Sequence, residues 1–469
     1  MAYYNRRKFL STMSATGFGA STGLLSAFAS SQTANAMTST DYKALVCIFF
    51  KGGLDAIDTL LPFDQPSYDT LRSIRRNIFD SYGVGSGSSS RDIQNLIELG
   101  ELSGSGGRRF ALPPEMSRMA ELYQSGDLAV VGNVGPLIEP VTRSSILNFT
   151  SALPRSLFSH NDQQSTWMSG AIEGQRNGWG ADYARLSTSE ANRTFAAVTA
   201  GGSDIFLNGG GIQQYVARAG GVSEPQIVEG FSILGSARDS DSIRDILRDH
   251  FSSSDVNSDS FLVQDLANIF AASRNSNTLY FDALQSSAPL STDFPTTGLG
   301  SQLQVIAKTI QLQSSLNANR QVFYATIGGF DTHSGQTNDL PDLQQEISDA
   351  IWAFQNAMNE LSLSNQVTTF TGSDFGRTLT NNGDGTDHGW GGHHFVVGGA
   401  VKGQNILGTI PEFDVQSEAY TQTGARMIPT TSVDEYAATL GRWFGISDTD
   451  LSTVLPFWDN FGSPILDLF

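Results

Sequence analysis

The chain alternates short apolar runs with segments of helical periodicity, an order that few fold classes accommodate. Six runs are apolar throughout and end at glycine or polar residues, as buried strands do. They are 44–50, 128–131, 194–199, 322–327, 367–371 and 395–397. Strands that are apolar on both faces are typical of parallel sheets covered by helices on both sides. We therefore predict an α/β fold with a mostly parallel central sheet.

Helical patterns lie between and after these strands. Apolar residues recur every three or four positions at Leu343, Ile347, Ile351, Phe354, Met358 and Leu361. That spacing predicts one helix with an apolar face. A second helix is predicted around 303–316, and a third after the capping box formed by Ser432 and Glu435. Residues 200–300 carry fewer strand signals, and we interpret them as an inserted helical or lid region.

The first 36 residues have the pattern of an export signal. Asn5-Arg6-Arg7-Lys8-Phe9-Leu10 is a twin-arginine motif, a weakly apolar stretch follows, and Ala34-Asn-Ala36 is a small-residue cleavage site. We predict a signal peptide over 1–36, a mature domain over 37–469, and a periplasmic or extracellular location. No other segment reaches the roughly 18 consecutive apolar residues of a membrane span, so none is expected in the mature chain.

Charge and cysteine content exclude several functions. The 47 acidic and 28 basic residues leave a formal net charge of −19. This balance argues against nucleic acid as a partner, because a phosphate backbone is bound through clustered Lys and Arg. The single cysteine, Cys47, rules out an internal disulfide and any cysteine-based zinc site. It lies within an apolar run, where we expect it to be a small buried hydrophobe.

Polar clusters follow the carboxyl ends of three predicted strands, where ligands bind in open α/β sheets. Asp55 follows the first run, Asp331 and His333 follow the fourth, and Asp374 and Arg377 follow the fifth. Glycines accompany each cluster and let the backbone approach an ion or anion closely.

Histidine is scarce and concentrated in such clusters. Five of the six histidines belong to polar clusters, and four of these five lie in two further clusters. One contains Ser159 and His160, and the other contains His388, His393 and His394. Histidine beside aspartate supplies the nitrogen and oxygen ligands that divalent cations bind. Taken alone, each aspartate could instead cap a turn and each histidine could instead pack in the core. The combination favours one or two divalent ions, with Zn, Mn, Mg and Ca not distinguished.

Together these clusters resemble the alkaline-phosphatase-like superfamily. They are most similar to its uncharacterised, twin-arginine-exported bacterial branch, a domain-of-unknown-function family. The stretches that carry the resemblance are Gly52-Gly-Leu-Asp55, Ser159-His-Asn-Asp-Gln-Gln164, Gly328-Gly-Phe-Asp-Thr-His333, Ser373-Asp-Phe-Gly-Arg-Thr378 and Gly385-Thr-Asp-His-Gly-Trp-Gly-Gly-His-His394. The resemblance implies a three-layer α/β/α sandwich with a two-metal site at the carboxyl edge of the sheet.

The resemblance also implies roles for individual residues. Asp55 would bind the metal nearer the nucleophile, and Asp331 with His333 would bind the other metal. Asp374 and His388 would complete the ligand set. Ser159 would be the nucleophile, with Ser156 as the alternative.

Two departures from the superfamily pattern affect this assignment. Asp374 is followed by Phe375, where the superfamily commonly has histidine. Asp331 and His333 are separated by one residue, where characterised phosphatases of the superfamily have three. One metal could therefore lack a ligand, take it from His160, His393 or Gln336, or be absent.

Two functions follow from these residues. The first is an exported metal-dependent hydrolase of a small phosphate or sulfate ester, in which Ser159 attacks and Arg377 or Arg155 binds the anion. The second is a non-catalytic periplasmic or cell-surface factor that keeps the fold and binds an exported protein or an envelope polymer.

Overall fold

The computed structural model describes residues 42–83, 90–102, 107–171, 177–218 and 261–469. The predicted signal peptide and residues 219–260 of the predicted insert lie outside these ranges. Of the described helices, none is long and apolar enough to cross a membrane.

The described residues contain fourteen strands. In chain order they are β1 (Lys43–Lys51), β2 (Leu61–Pro62), β3 (Ile97–Glu101), β4 (Arg109–Leu112), β5 (Leu128–Gly135), β6 (Ala197–Thr199), β7 (Tyr215–Val216), β8 (Arg320–Gly328), β9 (Val367–Ser373), β10 (Arg377–Asn381), β11 (Thr386–His388), β12 (Gly392–Val397), β13 (Asn405–Leu407) and β14 (Thr431–Ser432). Each of the six predicted apolar runs overlaps one of them, which confirms the strand predictions.

The described residues contain eleven α-helices. They are α1 (Gln65–Ile74), α2 (Arg76–Ser81), α3 (Ser117–Ser125), α4 (Arg143–Leu147), α5 (His160–Ser169), α6 (Trp179–Ser187), α7 (Phe261–Ser286), α8 (Gly298–Gln311), α9 (Gln336–Glu360), α10 (Val433–Phe444) and α11 (Asp448–Val454). The three predicted helices correspond to α9, α8 and α10. Ser432 and Glu435 form the predicted capping box at the start of α10. The predicted second helix lies earlier in the chain than expected, since α8 begins at Gly298 and ends at Gln311.

Within the described residues the central sheet has nine strands, in the order β13-β5-β12-β9-β1-β8-β6-β7, with β14 beside β5. Neighbouring strands are parallel except at β12, which runs antiparallel to both β5 and β9. The prediction of a mostly parallel sheet is confirmed.

Helices cover both faces of this sheet, which makes the molecule a three-layer α/β/α sandwich. On β1, Val46 and Ile48 belong to a core shared with α3, α8 and α9. The alternate residues Leu45, Cys47 and Phe49 belong to a second core shared with α5, α6, α10 and α11. Burial on both sides explains why β1 has no polar residue between its ends, and Cys47 is buried as predicted.

Strand direction brings the polar clusters together. Because β9, β1 and β8 are parallel neighbours, their carboxyl ends meet at one edge of the sheet. The antiparallel β12 begins at that same edge. The segments that follow β1, β8 and β9 therefore adjoin the one that precedes β12.

Candidate metal centre

The ends of three adjacent strands are locked together at the candidate site. The Gly52 amide, directly after β1, donates a hydrogen bond of 3.2 Å to Oδ2 of Asp374, directly after β9. Gly52 has φ +113°, and a Cβ there would lie 2.5 Å from the Asp331 amide nitrogen. Only glycine tolerates both the conformation and the close approach. The loops that carry Asp331 and Asp374 therefore meet across this residue.

Helix α5 contributes His160 from its first turn. Nδ1 of His160 lies 2.7 Å from Oδ2 of the fully buried Asp374. On its other side, His160 Nε2 lies 3.4 Å from Asp331 Oδ2. Gln164, one turn further along α5, donates to the same Asp374 oxygen at 3.0 Å. The helix is thus anchored to the end of β9 by two side chains on one face.

Two further histidines contact the other carboxylate oxygen of Asp331. Nε2 of His388, at the end of β11, lies 3.1 Å from Asp331 Oδ1. Nε2 of His333 lies 3.0 Å from that oxygen and 2.9 Å from His388 Nε2. One ligand atom each from His160, Asp331 and His388 lies within 4.8 Å of the other two.

Neighbouring charges set the protonation of these groups. Burial alone would raise the pKa of Asp331, but the hydrogen bond and positive charge of Arg377 hold it below its ordinary value. The hydrogen bond to Asp374 raises the pKa of His160. Burial lowers the pKa of His388. Asp331 is consequently an anion at neutral pH, and His388 is a neutral imidazole, as metal ligands must be.

Arg377 is buried and its donors are occupied within the site. It donates to Asp331 Oδ1 at 2.9 Å, to the Gly52 carbonyl at 3.3 Å and to Thr386 Oγ1 at 3.3 Å. The structure thus places this predicted anion-binding residue behind Asp331, where it orients the carboxylate. Arg155, the alternative, is exposed on the segment before α5.

Asp55 is not brought into the cluster. Its Oδ2 accepts from Arg75 at 2.7 Å and from Gln336 at 2.7 Å. Its Oδ1 accepts from the Ile57 and Asp58 amides at 3.1 and 3.2 Å. All of its hydrogen-bonding capacity is used by protein groups, so we leave Asp55 and its partner Gln336 out of the ligand set. The reason is the buried Arg75, which neutralises the carboxylate.

His393 is also outside the cluster. It is buried in β12, and its Nδ1 accepts a hydrogen bond of 3.0 Å from the Asn133 amide. Burial lowers the pKa of His393 to about 3, so it is a neutral core histidine. We leave His393 out of the ligand set because its Nδ1 already accepts a hydrogen bond from a protein group.

Ser159 lies at the N-cap of α5, beside His160. Its side chain makes no capping hydrogen bond, and none of the described residues hydrogen bonds to its hydroxyl. Ser156 is exposed and has the uncommon φ of +51°. Both candidate nucleophiles therefore belong to the segment that leads into α5.

Several residues of the site were missed by the sequence prediction. Asp387 contacts His333, and the Phe158 carbonyl contacts His388. The Phe375 ring packs against the rings of His160 and His388, with centroids 4.9 and 4.6 Å away. Asp387 could have been found, since it lies in the Gly385–His388 stretch that carries the resemblance. No sequence signal identifies a backbone carbonyl such as that of Phe158.

The residues present fit a divalent metal. Nε2 of His160 is buried and faces the cluster, but its contact of 3.4 Å with Asp331 Oδ2 is not directed as a hydrogen bond. A buried polar atom left without a partner is costly, and a cation between the imidazoles and Asp331 would satisfy it. The combination of imidazole nitrogens and a carboxylate is a common ligand set for divalent metals.

Residues 42–455 match the model of a protein family described as "Protein of unknown function (DUF1501)". The chain belongs to this family. No curated protein matches the sequence significantly. The prediction of a domain-of-unknown-function family is therefore confirmed, and the twin-arginine branch stays a prediction.

Three solved structures illustrate the similarity of this DUF1501 chain to known folds. Ps i-CgsB in complex with k-i-k-neocarrahexaose has 10% identity and a TM-score of 0.34, covering 90% of this chain and 77% of its own. The PsFucS1 sulfatase from Pseudoalteromonas sp. has 8% identity and a TM-score of 0.31, with coverage of 88% and 72%. The lipoteichoic acid synthase LtaP from Listeria monocytogenes has 7% identity and a TM-score of 0.31, with coverage of 88% and 74%. Similarity at this level carries no inference about activity.

Proposed function

We propose that this DUF1501 protein is an exported hydrolase that requires a divalent metal and acts on phosphate or sulfate esters. The observation that supports it is the convergence of His160, Asp331 and His388 at the carboxyl edge of the sheet. Open α/β sheets bind ligands at this edge. A small anionic ester is the proposed substrate class.

The chain's own residues have distinct parts in this proposal. His160, Asp331 and His388 would hold the metal, which polarises the ester oxygen when bound. Arg377 keeps Asp331 ionised and oriented through its hydrogen bond. The Phe375 ring covers His160 and His388 on one side and keeps water from that side of the rings.

Ser159 is the proposed nucleophile. Its hydroxyl is not used as a helix cap, and it stands at the amino end of α5. The partial positive charge of a helix amino terminus favours an ionised hydroxyl and attracts an anionic substrate. Ser156 is the alternative, three residues earlier.

The test is metal content and ester hydrolysis by the purified full chain, with p-nitrophenyl phosphate and p-nitrophenyl sulfate as probes. We expect metal-dependent turnover that falls by about a hundredfold or more in Ser159→Ala, which should retain its metal. His388→Ala should lose both metal and turnover. Asp342→Asn, at an exposed position on α9, is the matched control. A folded protein that binds no divalent metal would overturn the proposal.

A second candidate function is non-catalytic binding of an exported protein or an envelope polymer, with the metal as a structural ion. It is favoured by Phe375, which occupies the position where the resemblance expects a histidine. The engagement of Asp55 with Arg75 points the same way, because it removes a second ligand. Tightly bound metal without turnover on either ester, and capture of the same partner by wild type and Ser159→Ala, would select this function.

Export by the twin-arginine pathway is part of the proposal. Residues 1–36 lie outside the described residues, so the support is the sequence pattern: the Arg6-Arg7 motif, the weakly apolar stretch and the Ala34-Asn-Ala36 cleavage site. Replacing both arginines with lysine should keep the protein in the cytoplasmic fraction. Unchanged periplasmic yield would contradict this.

A further inference from the structure

The Nδ1 atom of each histidine around Asp331 is engaged by an oxygen. His160 Nδ1 lies 2.7 Å from Asp374 Oδ2. His333 Nδ1 lies 3.1 Å from Asp387 Oδ1, and His388 Nδ1 lies 2.8 Å from the Phe158 carbonyl. Carboxylate and carbonyl oxygens only accept hydrogen bonds, so each Nδ1 carries the proton. In its neutral form, which a metal ligand must adopt, each ring therefore presents a bare lone pair at Nε2.

These lone pairs face other acceptors. Nε2 of His333 and Nε2 of His388 are 2.9 Å apart, and both lie about 3 Å from Asp331 Oδ1. Nε2 of His160 is buried, and its contact of 3.4 Å with Asp331 Oδ2 is not directed as a hydrogen bond. With every Nδ1 donating away from the centre, the rings offer no hydrogen between these atoms. A shared cation is what makes the arrangement favourable.

We propose that His160, His333, His388 and Asp331 bind a single transition-metal ion, and that Asp374 and Asp387 are positioning residues that aim the imidazoles at it. This deepens the proposed function and rests on its metal site. Three imidazoles and one carboxylate favour zinc-like ions over Ca²⁺ and Mg²⁺, which prefer oxygen ligands. The two ions implied by the superfamily resemblance are replaced here by one.

Asp374 is assigned to positioning through its Oδ2, which is already occupied, while its Oδ1 is buried without a hydrogen-bond partner among the described residues. Oδ2 accepts from His160 Nδ1, from Gln164 Nε2 at 3.0 Å and from the Gly52 amide at 3.2 Å. A carboxylate that accepts a hydrogen bond from a metal-binding histidine fixes the ring's tautomer and direction.

Asp387 has the same relation to His333. It is itself held by Asn382 Nδ2 at 2.9 Å. It directly precedes His388, so one short strand supplies a ligand and the carboxylate that orients another ligand. The Asp387 side chain is 54% exposed, so replacing it should leave the core intact.

The test uses the full chain, stripped of metal with a chelator and titrated with Co²⁺ while visible absorption is recorded. We expect one Co²⁺ per chain, displaced by Zn²⁺ and not by a large excess of Ca²⁺ or Mg²⁺. Asp387→Ala should weaken Co²⁺ binding by about 10–100-fold. Asp387→Asn should weaken it less, because the amide oxygen still accepts from His333. Asp342→Asn should bind as wild type does.

His333→Ala provides a spectroscopic readout of the fourth ligand. It should still bind one Co²⁺, with a changed visible spectrum because a nitrogen ligand is lost. Circular dichroism of each chelated variant checks the fold. Because Asp374 is buried, the Co²⁺ affinity of Asp374→Asn is compared with that of wild type only if circular dichroism shows that the variant is folded.

Four results would overturn the inference: two ions per chain, displacement by Ca²⁺, unchanged Co²⁺ affinity in Asp387→Ala, or no binding by a folded protein. Absence of metal binding by a folded protein would mean that protons on the imidazole rings, and not a metal ion, lie between the histidines and Asp331. The proposed hydrolase function is rejected by a different result. One bound Co²⁺ with the expected variant effects and no ester turnover would reject the hydrolase and leave the metal centre standing.

Discussion

Replacing Asp55 separates a role in the fold from a role in metal binding. Asp55 and Arg75 form a buried ion pair at 2.7 Å, with side chains 0% and 1% exposed. Arg75 also donates to the carbonyls of Leu379 and Thr378, at 3.0 and 2.6 Å. The pair therefore ties the loop after β1 to α1 and β10.

The expected cost follows from this burial. Removing one partner of a buried ion pair leaves the other charge without compensation, which costs about 3–5 kcal/mol. In Asp55→Asn the side-chain oxygen can still accept from the Ile57 and Asp58 amides. Its NH₂ group, however, would face the Arg75 and Gln336 donors. The free energy of unfolding should therefore fall by about 3–5 kcal/mol in this variant.

The assay is denaturant unfolding with chelator present, so that metal binding does not contribute to stability. Tryptophan fluorescence and circular dichroism should give coincident transitions. Asp80→Asn is the matched control, because Asp80 pairs with Arg72 at 3.4 Å with side chains 57% and 40% exposed. Exposed pairs contribute about 0–1 kcal/mol. Adding Arg75→Met to Asp55→Asn should cost less than the sum of the two, since it removes the uncompensated charge.

Two outcomes would refute this reasoning. If Asp55→Asn is destabilised no more than Asp80→Asn, the buried pair does not support the fold as described. If the variant keeps its stability and loses its metal, Asp55 is a ligand after all.

Three further predictions concern other parts of the molecule. Burial raises the pKa of Asp434 from 3.8 to about 7. Between these two pH values the folded state holds a proton that the unfolded state has released. The free energy of unfolding should therefore fall by about 4 kcal/mol as the pH rises from about 4 to about 7. Asp434→Asn should abolish that fall, and a parallel pH profile of the two unfolding midpoints would contradict it. Gly376→Ala places a Cβ 2.1 Å from the Gly391 carbonyl oxygen. It should lower the free energy of unfolding by about 1–3 kcal/mol and weaken Co²⁺ binding. Gly298→Ala, where no atom lies closer than 3.8 Å to the added Cβ, should have neither effect. Burial raises the pKa of the Cys47 thiol, so native protein should resist alkylation and unfolded protein should react fully; rapid native alkylation would show that β1 is accessible.

The elements of the fold were predictable because their signals are local. The apolar runs of β1, β8 and β9 and the periodicity of α9 are each contained in a few consecutive residues. The carboxyl edge was predictable as well, since polar clusters follow these strands directly. The antiparallel direction of β12 was not predicted, because an apolar run has no polarity that a sequence pattern reveals.

The roles of the individual aspartates were less accessible. Asp55 and Asp331 look alike in the sequence, each closely following a strand and a Gly-Gly pair. In the structure Arg75 neutralises Asp55, while Asp331 stands among three histidines. Likewise, Asp374 appears as a ligand by position, but its hydrogen bond to His160 makes it a positioning residue in our proposal.

The sequence by itself determined the α/β class, the buried strands and the edge of the sheet where polar residues collect, because these depend on patterns within single segments. Only the tertiary structure decided which of those polar residues meet. His160 and Asp374 are 214 positions apart and 2.7 Å from each other. A metal site depends on distances of that kind, and they are set by the order and direction of strands that come from distant parts of the chain.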